Sequence, residues 1–190
     1  MIIDLTKQEV REIYNDYMKV DFPKDELKPL SAIMKLIDSG AYRCMGYVDD
    51  QDTEKKLYAY AFFVKQNEDY LFDYLAVMEN SRNGGIGSSF LAELAKEFEG
   101  AESVIGEVED PAFARNEADR ELQSRRLGFY LRNGYKDTGV RAKTFGVPFI
   151  ILEMDLGKKH DAKNIIELYK KQYGVYLYRF SLWKNVRITR

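Results

Sequence analysis

The chain has 190 residues, of which 45% are hydrophobic, a size that supports one substantial core but is short for two full domains. Its 29 Lys and Arg residues against 31 Asp and Glu residues leave a net charge of −2, which provides no broad basic surface for nucleic acid. No apolar run approaches the roughly 20 residues that cross a bilayer, and the N-terminus has no basic leader, so we expect a cytoplasmic protein without membrane association.

The single cysteine and the single histidine bear on metal and redox chemistry. Cys44 has no partner for an internal disulfide, and its strand-like surroundings predict a small buried apolar residue rather than a nucleophile. His160 lies in the polar sequence GKKHDAKN, which predicts a surface histidine. Because the chain has no second histidine and no second cysteine, we expect no metal site.

The first half of the chain predicts two helices and then three strands. Thr6 and Glu9 have the spacing of a capping box at the start of the first helix. Pro23 and Pro29 interrupt the chain before the second helix. The strands are separated by polar connectors, which predicts an antiparallel meander. In order, the predicted elements are helices over 7–18 and about 30–40, then strands over 42–48, 57–64 and 70–78.

The second half predicts a strand–helix–strand unit and two further strands. A polar stretch, 112–123, is expected to precede the second helix of this half. Beyond residue 161 a helix is predicted that Gly174 interrupts, and 175–188 either continues as helix or pairs as a strand. In order, the predicted elements are a helix over 86–98, a strand over 103–108, a helix through 125–131, and strands over 135–143 and 149–156. The fold class is therefore α+β, with a mixed central sheet flanked by helices.

A cluster of glycines follows the apolar strand LFDYLAVM, in the sequence RNGGIGSSFL that opens a helix. Gly84, Gly85 and Gly87 carry no side chain that would hold an anion away from the backbone. The start of a helix offers unpaired amides and the positive end of the helix dipole. This order predicts a site for a phosphorylated cofactor. The alternative is a tight turn in which the glycines serve backbone geometry alone.

Two motifs resemble those of the GNAT superfamily of acyl-CoA-dependent N-acetyltransferases. The turn reads Arg-x-x-Gly-x-Gly, like the pyrophosphate-binding motif of that family. Downstream, RRLGFYLRNGYK resembles a second GNAT motif, with Phe129, Tyr130, Gly134 and Tyr135 at its marked positions. In the family this tyrosine donates a proton to the departing coenzyme thiolate, and the role falls on Tyr130. The alternative is that Tyr130 is a core aromatic residue on the buried helix face.

The resemblance implies a GNAT acyltransferase fold, with an antiparallel meander and a splayed parallel strand pair, and acetyl-CoA as cosubstrate. The pantetheine arm is expected along the backbone of Leu75, Ala76 and Val77. Arg82 either adds a cation to a phosphate or is a solvated turn residue. The residues whose amides are expected to bind the pyrophosphate are Asn83, Gly84, Gly85, Ile86, Gly87 and Ser88. Many members carry an Asn that contacts the coenzyme where this chain has Gln123, a departure from the family pattern.

Acyl transfer to an amine requires a group that takes the amine proton, and three carboxylates are candidates. Strand alternation places Glu107 and Glu109 on one face of the strand GEVE. Two acids on one face of an interior strand favour an active-site role, because burying them unpaired is costly. Asp73 interrupts the apolar run LFDYL and is the third candidate. Pairing of each acid with a neighbouring Arg or Lys is the alternative.

The sequence thus predicts an acetyltransferase domain over 1–157 and a C-terminal extension over 158–190 that packs on it. The acceptor is expected to be an amine-bearing small molecule or peptide, reached by direct attack in a ternary complex. The aromatic sequence YGVYLYRFSLW could mediate a homodimer. The alternative function is a catalytically inactive acyl-CoA-binding module with a regulatory or assembly role.

Overall fold

The computed structural model describes residues 1–24, 26–49, 56–175 and 185–189. The chain divides into two units. The first unit comprises Met1–Lys65 and Asp73–Glu97, and the second comprises Gln66–Phe72 and Phe98–Arg190. In the described ranges, no helix has both the length and the apolar character needed to span a bilayer.

The first unit contains most of the predicted meander and four of the α-helices in the described residues. Strand β1 pairs antiparallel with β2, and β2 pairs antiparallel with β3. The first four residues of β4, up to Phe72, belong to the second unit. In chain order the elements are β1 (Ile2–Asp4), α1 (Lys7–Ile13), a π-helical turn (Tyr14–Met18), α2 (Lys19–Asp21), α3 (Leu30–Asp38), β2 (Tyr42–Val48), β3 (Leu57–Gln66), β4 (Asp69–Val77) and α4 (Ile86–Glu97).

The capping box predicted for the first helix is confirmed. The Thr6 hydroxyl accepts a hydrogen bond from the Glu9 amide, and the Glu9 carboxylate accepts one from the Thr6 amide at 2.7 Å. These reciprocal bonds satisfy donors that a helix start otherwise leaves open. The helix then widens into the π-helical turn, which buries Tyr14 and Met18 and which the sequence did not predict.

The second unit is built on antiparallel pairs joined to one parallel pair. Strand β5 pairs with β7, β7 with β6, and β6 with β8, all antiparallel. The parallel register joins β4 to β5, from Asp69↔Ser103 to Phe72↔Gly106. In chain order the elements are β5 (Ser103–Glu109), α5 (Glu117–Arg132), β6 (Tyr135–Thr144), β7 (Val147–Met154), α6 (Ala162–Gly174) and β8 (Val186–Thr189). The predicted α+β class with a mixed sheet is confirmed.

Both units contain buried apolar side chains, and each fully buried Leu, Ile, Phe or Met contributes about 1.5–3 kcal/mol. In the first unit these side chains come from helices and strands and include Val10, Met18, Ile33, Met45, Phe62 and Phe90. In the second unit they include Leu71, Phe98, Val104, Ile105, Ile151 and Ile165.

Several predicted boundaries are wrong. Strand β1 was not predicted, and α5 begins within the polar stretch because the side chain of Asn116 caps it by accepting from the Asp119 amide at 2.8 Å. The predicted interruption at Gly174 agrees with the structure, because Gly174 is the last residue of α6. Of the segment left open between helix and strand, Val186–Thr189 pairs as a strand with β6, and 176–184 lies outside the described residues.

Cys44 behaves as predicted, but His160 does not. Cys44 is buried on β2, and desolvation raises the pKa of its thiol well above the ordinary value, which makes it a poor nucleophile. His160 is not a surface histidine, since its side chain is 13% exposed. Its Nδ1 lies 2.5 Å from Glu153 Oε1 and its Nε2 lies 3.5 Å from Glu102 Oε1. His160 therefore lies between Glu102, which is distant in sequence, and Glu153, which is seven residues away, although its neighbours along the chain are polar.

Candidate active site

The glycine cluster forms an exposed turn between a strand and a helix. Strand β4 ends at Val77, a 3₁₀ turn follows over Glu79–Ser81, and α4 begins at Ile86. Within the turn, Asn83 has φ +65° and Gly85 has φ +79°. Both values lie in the left-handed region, which glycine adopts without strain and asparagine tolerates better than most residues.

Within the described ranges of the chain, this turn leaves backbone donors open at the start of α4. The Ser89 amide is bonded to the Gly85 carbonyl at 3.0 Å, and the amides of 86–88 precede that helical bond. A Cβ on Gly84 would have the Ser81 carbonyl oxygen as its nearest neighbour, at 3.9 Å, and one on Gly85 would meet nothing within 4 Å. Open amides, a helix start and an unobstructed backbone make a donor set that fits a diphosphate.

The Arg82 side chain links Val77, the last residue of β4, with Asp21, the last residue of α2. Its Nε donates to the Val77 carbonyl at 3.0 Å, and its Nη2 donates to Asp21 Oδ1 at 2.8 Å. The other Asp21 oxygen accepts from the Tyr60 hydroxyl at 2.8 Å. Burial, and then the bond to Asp21, raise the pKa of Tyr60. The guanidinium thus donates to two protein acceptors, which argues against the alternative that Arg82 is only a solvated turn residue.

Asp73 on β4 is paired within the first unit. Its carboxylate accepts from the Lys28 ammonium at 2.6 Å and from the Tyr42 hydroxyl. The side chains of Asp73 and Lys28 are 11% and 18% exposed. Burial raises the pKa of Tyr42 well above its usual range, and the nearby Asp73 charge raises it further. The pairing with Lys28 was not predicted, because Lys28 lies in an irregular segment between Pro23 and Pro29.

Tyr130 lies near the C-terminal end of α5 in a group of aromatic rings. Its centroid is 5.3 Å from those of Phe129 and Tyr135 and 6.3 Å from that of Phe72, all in edge-to-face geometry. Desolvation raises its pKa to about 12, against a lowering effect of the Arg126 charge. Within the described part of the chain, the Tyr130 hydroxyl makes no hydrogen bond.

Glu107 on β5 holds two tyrosines of α6. Its Oε1 accepts from the Tyr169 hydroxyl and its Oε2 accepts from the Tyr173 hydroxyl at 2.6 Å. The Tyr169 hydroxyl also lies 2.5 Å from Thr144 Oγ1. Burial and the Glu107 charge raise the pKa of Tyr169 well above its usual range. The i, i+4 spacing of the two tyrosines on a predicted helix indicated a shared face, but the sequence did not indicate what that face contacts.

Glu109, the last residue of β5, is paired with α5. Its Oε2 lies 2.5 Å from Arg126 Nη1, and its Oε1 accepts from Gln123 Nε2 at 3.3 Å. The Oε1 atom of Gln123 is buried without a hydrogen-bond partner among the described residues. Gln123, at the position where many GNAT members carry a coenzyme-contacting Asn, therefore has its amide nitrogen bonded to Glu109 and its oxygen unsatisfied among the described residues.

No protein-family model and no curated protein matches this sequence. Solved structures do match. One, described as an acetyltransferase of the GNAT family from Bacteroides thetaiotaomicron, has a TM-score of 0.69 at 21% identity over 93% of this chain and 98% of that one. The ribosomal-protein-S18-alanine N-acetyltransferase from Escherichia coli has a TM-score of 0.56 at 16% identity, over 85% and 97% of the two chains. An aminoglycoside 6'-N-acetyltransferase in complex with coenzyme A has a TM-score of 0.56 at 15% identity, over 85% and 99%.

The chain has the GNAT acetyltransferase fold. The resemblance inferred from two short motifs is thereby supported by element order across most of the chain.

Within the GNAT fold, the predicted site residues are distributed over both units. The first unit contains the glycine turn, Asp73 and the β4 backbone at 75–77. The second contains Tyr130, Glu107 and Glu109. Asp73 pairs with Lys28 and Glu109 pairs with Arg126, as the pairing alternative expected, whereas Glu107 accepts from two tyrosines. The roles of all three carboxylates in proton transfer stay predictions.

Proposed function

We propose that this protein is an acetyl-CoA-dependent N-acetyltransferase. The observation that carries the proposal is the turn before α4, in which Gly85 has a left-handed backbone, a Cβ on Gly84 or Gly85 would meet no atom closer than 3.9 Å, and the amides of 86–88 precede the bond from the Ser89 amide to the Gly85 carbonyl. Support also comes from the GNAT fold and from the coenzyme A complex of a protein that shares it. We assign the acetyltransferase domain to 1–157 and a C-terminal extension to 158–190.

In this proposal the main chain binds the coenzyme. Amides from Asn83 to Ser88 bind the diphosphate, and the β4 backbone at 75–77 bonds the pantetheine arm as an added strand would. Because the Arg82 guanidinium already bonds Val77 and Asp21, its role is to fix the end of β4, with the phosphate bound mainly by amides. Positive charge on the exposed part of Arg82 still favours an anion nearby.

Acetyl-CoA supplies an activated thioester, which an acceptor amine attacks as the C–N bond forms and the C–S bond breaks. The amine must first be neutral, and an amine of pKa about 10.4 is neutral less than about 0.1% of the time at pH 7, a handicap of about 4.6 kcal/mol. We assign removal of its proton to Glu107 or Glu109, directly or through water, with Asp73 as the third candidate.

Tyr130 is the proposed acid that protonates the departing thiolate. With a pKa of about 12, its proton transfer to a thiol of parent pKa about 8.5 is uphill by about 5 kcal/mol, compared with about 2 kcal/mol for a solvated phenol. Desolvation also raises the pKa of the coenzyme thiol, so the pKa difference between Tyr130 and the thiol becomes smaller when both groups are removed from water. The absence of a competing bond to the hydroxyl among the described residues favours the role.

A specific observation also favours the alternative, an acyl-CoA-binding module without catalysis. Glu107 accepts hydrogen bonds from Tyr169 and Tyr173, and Glu109 is paired with Arg126. Both β5 acids therefore make contacts that stabilise the fold. A protein that retained the coenzyme site and lost acetyl transfer would keep these contacts.

Two measurements separate the proposals. Calorimetric titration with coenzyme A and acetyl-CoA should give a heat of binding, and its absence for folded protein would refute both functions. Free thiol is then followed with acetyl-CoA and a panel of amines that includes polyamines, amino sugars and peptides. Thiol release that depends on the amine supports the enzyme, whereas binding without release supports the module.

A further inference from the structure

Asp73 lies in a small cage, defined here as the Asp73 carboxylate with the side chains of Tyr42 and Tyr74. The carboxylate is largely buried, a position that is costly unless the charge is paired. Tyr42 donates its hydroxyl to the carboxylate, and the Tyr74 ring centroid lies 5.4 Å from the Lys28 ammonium. Phe22 packs edge-on against Tyr74 at 4.9 Å. A carboxylate beside an aromatic face is the chemistry that recognises an organic cation.

Lys28 occupies this cage through its side chain, while its backbone is anchored separately. Its amide donates to the Tyr74 hydroxyl at 2.8 Å, and its carbonyl accepts from the Tyr14 hydroxyl at 3.1 Å. The Tyr74 hydroxyl in turn donates to the Glu26 carbonyl at 3.0 Å. Because both backbone groups of Lys28 are bonded, these two hydrogen bonds do not depend on whether the flexible four-carbon stem is in the cage.

We propose that the cage is a binding site for an unbranched primary alkylammonium group, and that Lys28 is its internal competitor. The role of the cage in acetyl transfer rests on the proposed function. In that role the cage selects the acceptor amine, and Asp73 binds the ammonium form of that amine. A tethered lysine has a high effective concentration, so an external amine binds in proportion to the fraction of molecules in which Lys28 has left.

The Lys28 side chain, which occupies the cage, indicates which ligands the cage fits. The lysine side chain ends in an n-butylammonium group, so an unbranched chain of that kind fits the same contacts. A quaternary ammonium has no N–H to donate to Asp73 and loses the charge-assisted bond. An amine on a branched carbon, as in a peptide N-terminus or an amino-sugar ring, brings a substituent that the lysine does not have. A diamine and a peptide lysine share the favoured chemistry.

Lys28→Ala tests the cage without any coenzyme. The variant leaves Asp73 without its cation, and we expect its Tm to fall. Added n-butylammonium chloride should then raise that Tm by about 2–4 °C relative to sodium chloride at equal ionic strength. Tetramethylammonium and tert-butylammonium should have little effect. The double variant Lys28→Ala/Asp73→Asn should not respond to n-butylammonium.

Lys7→Ala is the matched control, because Lys7 pairs with Asp38 at an exposed position where the two side chains are 52% and 56% exposed. Its Tm should not respond to n-butylammonium. If Lys28→Ala folds only when n-butylammonium is present, the cage is supported in the same way. If n-butylammonium neither rescues nor stabilises Lys28→Ala, the proposal is overturned.

A kinetic arm links the cage to acetyl transfer and distinguishes ligand sources. With acetyl-CoA, Lys28→Ala should lower KM about tenfold for 1,4-diaminobutane, if the source is a small molecule, or for Nα-acetyl-lysine amide, if it is a peptide lysine. Asp73→Asn should raise the same KM. If n-butylammonium stabilises Lys28→Ala but no amine releases thiol, the ammonium site stands and the proposed enzyme fails. If thiol is released but neither KM changes, the cage is not the acceptor site.

Discussion

Replacing Gly84 by alanine tests the glycine turn without disturbing the fold. The added Cβ would have the Ser81 carbonyl oxygen, at 3.9 Å, as its nearest neighbour, which is an ordinary contact. The backbone of Gly84 is not in the left-handed region, so alanine adds no strain there. We expect the free energy of unfolding to stay within about 0.5 kcal/mol of the wild-type value.

The same methyl group should weaken coenzyme binding, because a diphosphate must approach the amides of this turn within hydrogen-bond distance. One lost hydrogen bond to a charged group is worth about 1.5–3 kcal/mol. Since about 1.4 kcal/mol changes an equilibrium constant tenfold, we expect the Kd for coenzyme A to rise about 10- to 100-fold.

Two further glycines provide the comparison. Gly100→Ala adds a methyl group that meets nothing within 4 Å, outside the turn, and should change neither stability nor Kd. Gly85→Ala also meets no atom within 4 Å, but its φ of +79° makes alanine unfavourable by about 1–2 kcal/mol. We expect its Tm to fall by about 2–8 °C.

Calorimetric titration with coenzyme A at fixed ionic strength, together with thermal unfolding, measures both effects. The decisive comparison is Gly84→Ala with the wild type. If the wild type binds coenzyme A and Gly84→Ala binds it with the same Kd, the diphosphate does not lie on this turn, and the coenzyme assignments of 83–88 fail.

Substitutions at Tyr130, at the Asp21–Arg82 pair and at Tyr169 give three further predictions. Tyr130→Phe should reduce kcat about 100-fold in the thiol-release assay and leave the Kd for coenzyme A unchanged, and full activity would exclude the acid role. Asp21→Asn and Arg82→Ala should each cost about 0.5–1 kcal/mol in urea unfolding, and the double variant should cost less than the sum of the two because they share one interaction; strict additivity would contradict that coupling. Tyr169→Phe should cost about 1–3 kcal/mol at neutral pH, because it removes a buried donor to Glu107. The raised pKa of Tyr169 also means that the folded chain keeps a proton that the unfolded chain releases above pH about 10. Wild-type stability should therefore fall as pH rises through that range, less steeply in Tyr169→Phe, and equal slopes would count against the assignment.

Local patterns in the sequence predicted most of the elements. Strand β2 was predicted with the bounds that it has, and α4 within one residue at its end, because their periodicity and punctuation are local properties of the chain. The capping box of α1 is likewise complete within four residues. Strand β1 was not predicted, because three residues carry too little pattern and depend on pairing with β2.

In the candidate site, too, some features follow from local sequence and others depend on tertiary packing. The sequence by itself determined the glycine turn at the start of a helix, because the unpaired amides and the left-handed glycine depend on residues adjacent in the chain. It also placed Glu107 and Glu109 on one strand. Only the tertiary structure decided the partners of the charged groups: Arg82 with Asp21, 61 residues away, Asp73 with Lys28, 45 residues away, and Glu107 with tyrosines of α6. A charge near water tolerates many partners, whereas a charge removed from water requires one at a fixed place, and that place is set by how distant segments pack.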